Sequence, residues 1–403
     1  MSTDKWTDEF LASMRQEMDP PADEVIRRLF DEGGLAGLRQ FHSHILRNDG
    51  IPLDGLPPYV VDYLLETAEP PAWMDRDAVR MAEEVLSSYG LIAFTVLAGA
   101  SLPECYVDRP GVPALWLTQK INAHVYRRVV ETSQFVMGVM VPGGLERGGK
   151  GIQAAQKVRL MHASVRHLML QTPDEQLAKG TTSDIADVFR SHTWREELGL
   201  PINQEDLAYT LQTFAWVGVR GMRDLECGLT RDQEEAVIQV WNATGHTLGI
   251  REDLMPADVA EAQLLFERIK ARIAAPSEEG ASLQAALLNY QESLIPEFMG
   301  NYRHLPRMIM RHLVGDDTAN MLGVPPLMPV EVEEAHEGIA LIEGLDHVED
   351  HVFHGFSPVR KGAEWLFRRM LETYARLPAA WERDLFTIPE GLATEWSIAR
   401  LKH

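Results

Sequence analysis

The sequence predicts an all-α protein. Apolar residues recur at helical spacing along most of the chain, and we find no internal repeat and no regular series of alternating strands. The 403 residues are 45% hydrophobic and 24% charged, which is an ordinary balance for a globular protein that buries a large core. We therefore expect one helical domain with helical additions at both ends.

The predicted helices follow one another with breaks at proline and glycine. In the N-terminal part, three Pro-Pro pairs separate short amphipathic pieces. The helices predicted in the first half are 23–32, 35–47, 59–67, 77–100, 114–140 and 157–169. Those predicted in the second half are 205–227, 230–248, 256–274 and 282–299. Residues 101–113 and 171–204 are predicted as turn-rich or loop-rich connections.

Composition excludes several classes of function. The net charge of −22 argues against a nucleic acid or an anionic membrane as partner, because both attract basic surfaces. We see no apolar run long enough for a transmembrane helix and no signal peptide at the start of the sequence. Cys105 and Cys227 are too few for a disulfide framework. We expect a cytoplasmic protein, and the oligomeric state is left open.

Residues 157–169 form the predicted helix of greatest chemical interest. Its apolar residues recur at roughly helical spacing: Val158, Met161, Val165, Leu168 and Met169. His162 lies within this stripe, with Arg159 one turn before it and Arg166 one turn after it. An imidazole flanked by cations suits a haem iron and its propionates. A histidine on an apolar helix face is more often an ordinary core residue, so the helix alone leaves both interpretations open.

A glycine-rich stretch at residues 144–151, GLERGGKG, nearly spells a phosphate-binding loop. That loop needs a serine or threonine after its lysine to hold Mg²⁺, and Gly151 stands there instead. No series of parallel strands follows it. We therefore interpret the glycines as a sharp turn between two long helices.

Histidines cluster in the C-terminal third of the chain. His347, His351 and His354 follow each other at helical spacing, and Glu333 with His336 forms an E-x-x-H motif upstream. Imidazoles at this spacing can bind zinc or iron. The intervening acidic residues are equally typical of a solvated, charged face. Both interpretations remain open.

A polar triplet precedes the His162 helix. Arg128, Glu131 and Thr132 share one face of the helix predicted at residues 114–140. Arg128 and Glu131 at this spacing are usually an ordinary, solvated ion pair at a helix surface. Its neighbours in sequence are apolar, which indicates that it is partly buried.

These motifs together resemble those of the latex-clearing proteins, the b-type haem rubber oxygenases, and their wider relatives. The family pattern is R-x-x-K-T on one helix, followed by a helix with H-x-x-x-R. Here the two motifs read Arg128-Val-Val-Glu131-Thr132 and His162-Ala-Ser-Val-Arg166. Further similar stretches are ASLPECY at 100–106, GLPINQEDL at 199–207, Trp241, and GHTLGIREDLMP at 245–256.

The resemblance implies a globin-like helical core that holds one haem b. In that core His162 is the proximal iron ligand, Arg128, Glu131 and Thr132 line the distal pocket, and Arg166 lies near the haem periphery. The resemblance covers about residues 80–320, which implies a haem-binding oxygenase-like core there. Residues 1–79 and 321–403 are not covered by it, and from their helical patterns we expect an N-terminal and a C-terminal helical extension. The implied reaction is oxidative cleavage of an isoprenoid double bond by O₂.

The chain departs from the family pattern at one position of the distal motif. Glu131 stands where rubber oxygenases carry a lysine, so a proton acceptor replaces a cation. A small hydrophobic olefin fits a cytoplasmic enzyme better than solid rubber does. Two alternatives remain: a haem-binding or sensing protein without catalysis, and a metal-dependent enzyme that uses the C-terminal histidines.

Overall fold

The structure is a computed structural model, and it describes residues 5–45, 50–121, 125–170, 194–295 and 303–334. Within these residues the regular secondary structure is helical, apart from one isolated antiparallel bridge between Asp108 and Ala274. The predicted all-α fold class is confirmed. The histidine segment 336–354 and residues 171–193 of the predicted loop-rich connection lie outside the described residues.

The helices run in a simple order along the chain. In the first half they are α1 (Asp8–Met14), α2 (Pro20–Ile45), α3 (Pro58–Glu66), α4 (Arg76–Val96), α5 (Leu102–Tyr106), α6 (Val112–Ile121), α7 (Val125–Met140) and α8 (Lys150–Leu170). In the second half they are α9 (Gln204–Phe214), α10 (Trp216–Asp224), α11 (Arg231–Thr247), α12 (Val259–Ile273), α13 (Glu278–Ser293) and α14 (Leu305–Met321).

The predicted end of the fourth helix near residue 100 is wrong. A π-helical segment, Leu97–Ser101, joins α4 directly to α5, so the ASLPECY stretch is helical rather than turn-rich. Pro103 does not break the run because it stands in the first turn of α5, where a missing N–H leaves little unsatisfied. The whole run Arg76–Tyr106 is long and apolar enough to cross a membrane, but 72% of its most apolar window is buried inside the fold. It is packed as a core helix.

Helix starts follow the capping residues in the sequence. Thr230 caps α11 through a reciprocal pair of hydrogen bonds with Gln233, in which each side chain accepts from the other residue's backbone N–H. Asn203, Asp258 and Ser277 accept in the same way from the first turns of the helices that follow them. The cap at Asp258 explains why α12 begins at Val259, later than the predicted residue 256.

Helix α8 lies at the centre of the packing. It contacts α2, α7 and α11. Ile152 and Ala155 join the main hydrophobic cluster, while Leu160 and Ala163 pack against α2 and α3. The C-terminal end of α8 forms a third cluster with α6. Because several neighbours surround it, α8 is apolar on more than one side.

The predicted apolar stripe of α8 is therefore only partly right. Val165 and Met169 are buried as expected, whereas Met161 is 39% exposed. The best-buried apolar side chains are Leu160 and Ala163, which lie outside the predicted stripe. A single-stripe interpretation fails for a helix that is enclosed by other helices.

The N-terminal helix α1 packs into the main core. Trp6, Leu11 and Met14 are almost completely buried in the same cluster as the central helices. The Trp6 indole N–H donates to the carbonyl oxygen of Asp253 at 2.8 Å. The domain boundaries proposed from the sequence stay a prediction.

Candidate functional site

The site is built on a hairpin of α7 and α8 whose turn is made of glycines. Gly143 has a φ of 75°, which favours glycine. A Cβ on Gly144 would lie 2.2 Å from the carbonyl oxygen of Gly138, and one on Gly151 would lie 2.8 Å from the same atom. The Gly151 N–H donates to the Gly144 carbonyl oxygen at 2.9 Å. The predicted sharp turn is confirmed, and it brings the two helix backbones together.

This contact sets the register of the hairpin. Glu131 precedes Gly138 by seven residues, or about two turns, and His162 follows Gly151 by eleven, or about three turns. Both residues thus return to the side of the helix that carries the glycine contact. At about 1.5 Å per residue they lie roughly 10 and 16 Å from that contact, in the same direction along an antiparallel pair. Glu131 and His162 therefore face the space between the two helices.

The remaining residues of the distal motif lie beside Glu131 on α7. Arg128 is ten residues before Gly138 and therefore stands at roughly the level of His162, about 15 Å from the glycine contact. Its side chain lies outside the described residues. Thr132 is turned about 120° away from the side that faces α8. Both Glu131 and Thr132 are half-buried, so neither lies on a fully solvated face.

His162 has the enclosure that a ligand histidine needs. Its side chain is half-buried and its Nδ1 atom is buried within the protein. Arg159 and Arg166 flank it and are themselves buried. The predicted grouping of an imidazole with two arginines is therefore present, although both guanidinium groups bind aspartates of the N-terminal segment.

Arg159 forms a two-point ion pair with Asp19. Its Nε donates to Oδ2 at 2.6 Å and its Nη2 donates to Oδ1 at 2.7 Å. Its Nη1 also donates to the carbonyl oxygen of Thr247 at 3.3 Å. The hydrogen bonds with Asp19 raise the pKa of Arg159 against the desolvation that burial imposes.

Arg166 forms the matching pair with Asp23. Its Nε donates to Asp23 Oδ1 at 2.8 Å, and its Nη1 donates to the carbonyl oxygen of Ile202 at 3.0 Å. Burial raises the pKa of Asp23, although the adjoining Arg166 opposes this shift. The structure thus shows what Arg166 binds within the protein, and its contact with a cofactor stays a prediction.

Sequence reasoning missed both aspartates. Asp19 directly precedes Pro20-Pro21 at the start of α2, a position typical of a helix cap. That signal marks the helix start but says nothing of the distant partner. Asp19 and Arg159 are 140 positions apart, and no local pattern in the sequence reveals the pair.

An aromatic group borders the hairpin next to Glu131. Phe135 lies one turn after Glu131, and its ring centroid is 6.2 Å from that of Trp241 on α11. Trp241 is buried and lies 4.9 Å from the half-buried Phe214 of α9. Trp241 belongs to the stretches that resemble the rubber oxygenases, and Phe135 is one of the apolar neighbours of the Arg128 triplet, whereas Phe214 was assigned no role in this site from the sequence. The group gives this side of the hairpin an apolar wall.

The ASLPECY stretch contains a further buried charged residue, away from the α7–α8 hairpin. Glu104 is completely buried, and its carboxylate lies 3.1 Å from Arg220 and 2.7 Å from Lys270. The Tyr209 hydroxyl donates to the Glu104 carbonyl oxygen at 3.1 Å. These contacts join α5 to α9, α10 and α12. Among the described residues, no group of three or more His, Cys, Asp or Glu side chains is arranged to hold a metal ion.

Comparisons with known proteins identify the family of this chain. The family described as "ER-bound oxygenase mpaB/B'/Rubber oxygenase, catalytic domain" matches residues 90–341. A rubber oxygenase from Streptomyces sp. (strain K30) is 23% identical over 310 residues, covering 76% of this chain and 70% of that protein. The solved structure of latex clearing protein in the closed state has a TM-score of 0.66 at 22% identity, covering 89% of this chain and 91% of that chain.

The fold and the family match define the class of protein as an all-helical oxygenase. More narrowly, the chain belongs to the mpaB/B'/rubber oxygenase catalytic-domain family, since the match covers more than half of its length. The predicted resemblance to the latex-clearing proteins is confirmed.

Proposed function

We propose that this protein is a haem b-dependent oxygenase that oxidises or cleaves small hydrophobic olefins, isoprenoids among them, with O₂. The observation that carries this proposal is the placement of Glu131 and His162. Counted from the glycine contact, helix periodicity puts Glu131 and His162 on the facing sides of adjacent helices, which supports a site that combines a carboxylate with an imidazole.

The residues on α8 fit a haem. An imidazole is the usual protein ligand of a b-type haem iron, and the neighbouring Val158 and Val165 supply the apolar surface that a porphyrin needs. Because Nδ1 of His162 is enclosed by protein, we assign the iron to Nε2. When bound, the haem supplies the oxygen-binding and redox chemistry.

Glu131 has a different task on the opposite helix. Its carboxylate would accept an allylic proton of the olefin, which a lysine ammonium at this position could not do. Arg128 lies about one turn before Glu131 on α7 and would orient polar oxygen atoms there, whereas Thr132 is turned away from the side that faces α8 and its role stays a prediction. The substitution of the family lysine by Glu131 therefore assigns the base of the reaction to the distal motif itself.

The aromatic wall indicates the class of substrate. Phe135, Trp241 and Phe214 offer ring surfaces that exclude water and pack against a hydrocarbon. A cytoplasmic location remains part of the proposal, because a small olefin can reach an enzyme inside the cell. No polymer is needed as substrate.

The first experiment is an absorption spectrum of protein purified from cells supplied with haem. We expect a Soret band in the wild type that weakens or shifts in His162→Ala. His167→Ala is the matched control, since His167 lies on the same helix and packs instead against Phe30 of α2. Oxygen uptake with small isoprenoid olefins then tests turnover. A wild type without a Soret band, or an unchanged band in His162→Ala, would refute the proposal.

A further inference from the structure

Two buried ion pairs frame the proposed haem ligand. Arg159 lies three residues before His162 and Arg166 lies four residues after it, and both are within about 60° of His162 around the helix. Their carboxylate partners, Asp19 and Asp23, stand at the start of α2. We propose that Asp19 and Asp23 are positioning residues for His162, so that the N-terminal segment forms part of the cofactor site. This inference rests on the proposed function.

The two pairs act as one unit. The backbone N–H of Asp19 donates to Oδ2 of Asp23 at 3.0 Å, which links the carboxylate of one pair to the backbone of the other. The pairs lie seven residues apart on α8, or about 10 Å along the helix, with His162 between them. A helix held at two points on one side resists both sliding and rotation.

Each arginine also reaches the second half of the chain. The Thr247 carbonyl oxygen at the end of α11 accepts from Arg159, and the Ile202 carbonyl oxygen before α9 accepts from Arg166. Gln204 joins the same segments, because its Nε2 donates to the carbonyl oxygens of Met18 and Gly249. Three separate parts of the chain therefore converge on the turn of α8 that carries His162.

The backbone at Gly249 packs closely against the Arg159–Asp19 pair. A Cβ on Gly249 would lie 2.6 Å from both Arg159 Nε and Asp19 Oδ2. The surrounding backbone is thus shaped around the pair. Loss of either carboxylate would leave a guanidinium buried without its counter-charge, and the helix turn would shift to relieve it.

Such a shift matters for a metal ligand. Functional groups must be held within about 0.5 Å and 10–20° of their working geometry. Here the matched family domain begins at residue 90, so Asp19 and Asp23 act on it from outside.

Asp19→Asn and Asp23→Asn in the full-length haem protein test the inference. We expect a shifted or broadened iron–histidine stretching band in resonance Raman spectra of the ferrous form. Haem transfer to apomyoglobin should be about 10- to 100-fold faster, as for other residues that orient metal ligands. Asp31→Asn is the matched control on α2, because Asp31 pairs with Arg27 at the surface.

A second control separates positioning from general stability. Glu234→Gln removes the buried partner of Arg223 at the far end of α11. We expect it to lower stability and leave the iron–histidine band unchanged. If the two asparagine variants behave like Glu234→Gln, with an unshifted band and wild-type haem transfer, the positioning role is overturned.

The longer variants Asp19→Glu and Asp23→Glu keep the charge and serve if the asparagine variants do not fold. A shifted band supports the inference, and an unshifted band overturns it. A wild type without a Soret band refutes the proposed function and this inference together. A normal wild-type spectrum with unaltered aspartate variants refutes this inference alone.

Discussion

The two ends of the α7–α8 hairpin differ in how they are filled. At the turn, backbone meets backbone, and Gly138 and Gly144 approach so closely that a methyl group on Gly144 would overlap a carbonyl oxygen. Further along the hairpin the residues are larger: Phe135 lies about one turn from the glycine contact, and Glu131 and Val158 lie about two turns from it, all three half-buried. The closed end fixes the register, and the proposed function assigns the chemistry to the other end. Under that proposal, the residues that set the hairpin geometry are separate from those that react.

The largest effect is expected from replacing the carboxylate of Glu131, at the end of the hairpin away from the glycine turn. Glu131→Gln keeps the shape of the side chain and removes the proton acceptor, so kcat should fall about 10²- to 10⁴-fold while the Soret band stays in place. Steady-state turnover of a small olefin measures this. Glu146→Gln makes the same exchange at the closed end, where the side chain is exposed, and should leave kcat unchanged. Equal effects of the two substitutions would contradict the division between the ends.

The next effect concerns the closed end. Gly144→Ala places a methyl group 2.2 Å from the Gly138 carbonyl oxygen, so the free energy of unfolding should fall by about 3 kcal/mol or more. Gly138→Ala is the matched control, because its nearest neighbour lies 3.5 Å away at ordinary contact distance. Urea unfolding of both variants gives the comparison. A Gly144→Ala protein as stable as Gly138→Ala would show that the turn is not close-packed.

A smaller, pH-dependent effect is expected on the outer side of α8. His42 Nε2 lies 2.9 Å from the Ser164 hydroxyl, and burial lowers the pKa of His42 to about 4. The unfolded chain titrates near pH 6.5, so it binds a proton between about pH 6.5 and 4 that the native protein excludes. The contribution of neutral His42 is complete above about pH 6.5 and declines as the pH falls through this window, by at most about 3 kcal/mol.

Urea unfolding at pH 7 and pH 4.5 measures this dependence. The wild type should lose more stability between these two pH values than His42→Gln, whose amide does not titrate. The same loss in both proteins would mean that other groups control acid stability. The Soret band should be unaffected at pH 7, since His42 contacts the side of α8 away from His162.

Local patterns in the sequence predicted those features that depend on neighbouring residues, namely the helices and the turn between α7 and α8. Helical spacing predicted most of the helices, and the glycines of 144–151 predicted the turn that sets the hairpin register. Residues Arg159, His162 and Arg166 were grouped correctly because they lie on one helix. The motif at Glu131 was found by resemblance rather than by spacing.

The missing parts depend on tertiary contacts. Asp19 and Asp23 meet α8 across more than a hundred residues, and no periodicity encodes such a pairing. The aromatic wall brings together residues from α7, α9 and α11. The π-helical link after α4 was missed because residues 97–101 have the small residues and following proline that otherwise indicate a break.

The hydrogen bond between Trp6 and Asp253 has a consequence for synthesis of the protein. These residues are 247 positions apart, so Trp6 and the adjoining α1 leave the ribosome long before Asp253 is available to complete this contact. At about 5–20 residues per second, the delay is roughly 12 to 50 seconds. During that time the apolar side chains of α1 lack their native partners. The time at which the fold is completed therefore depends on the rate of translation as well as on the strength of the contacts.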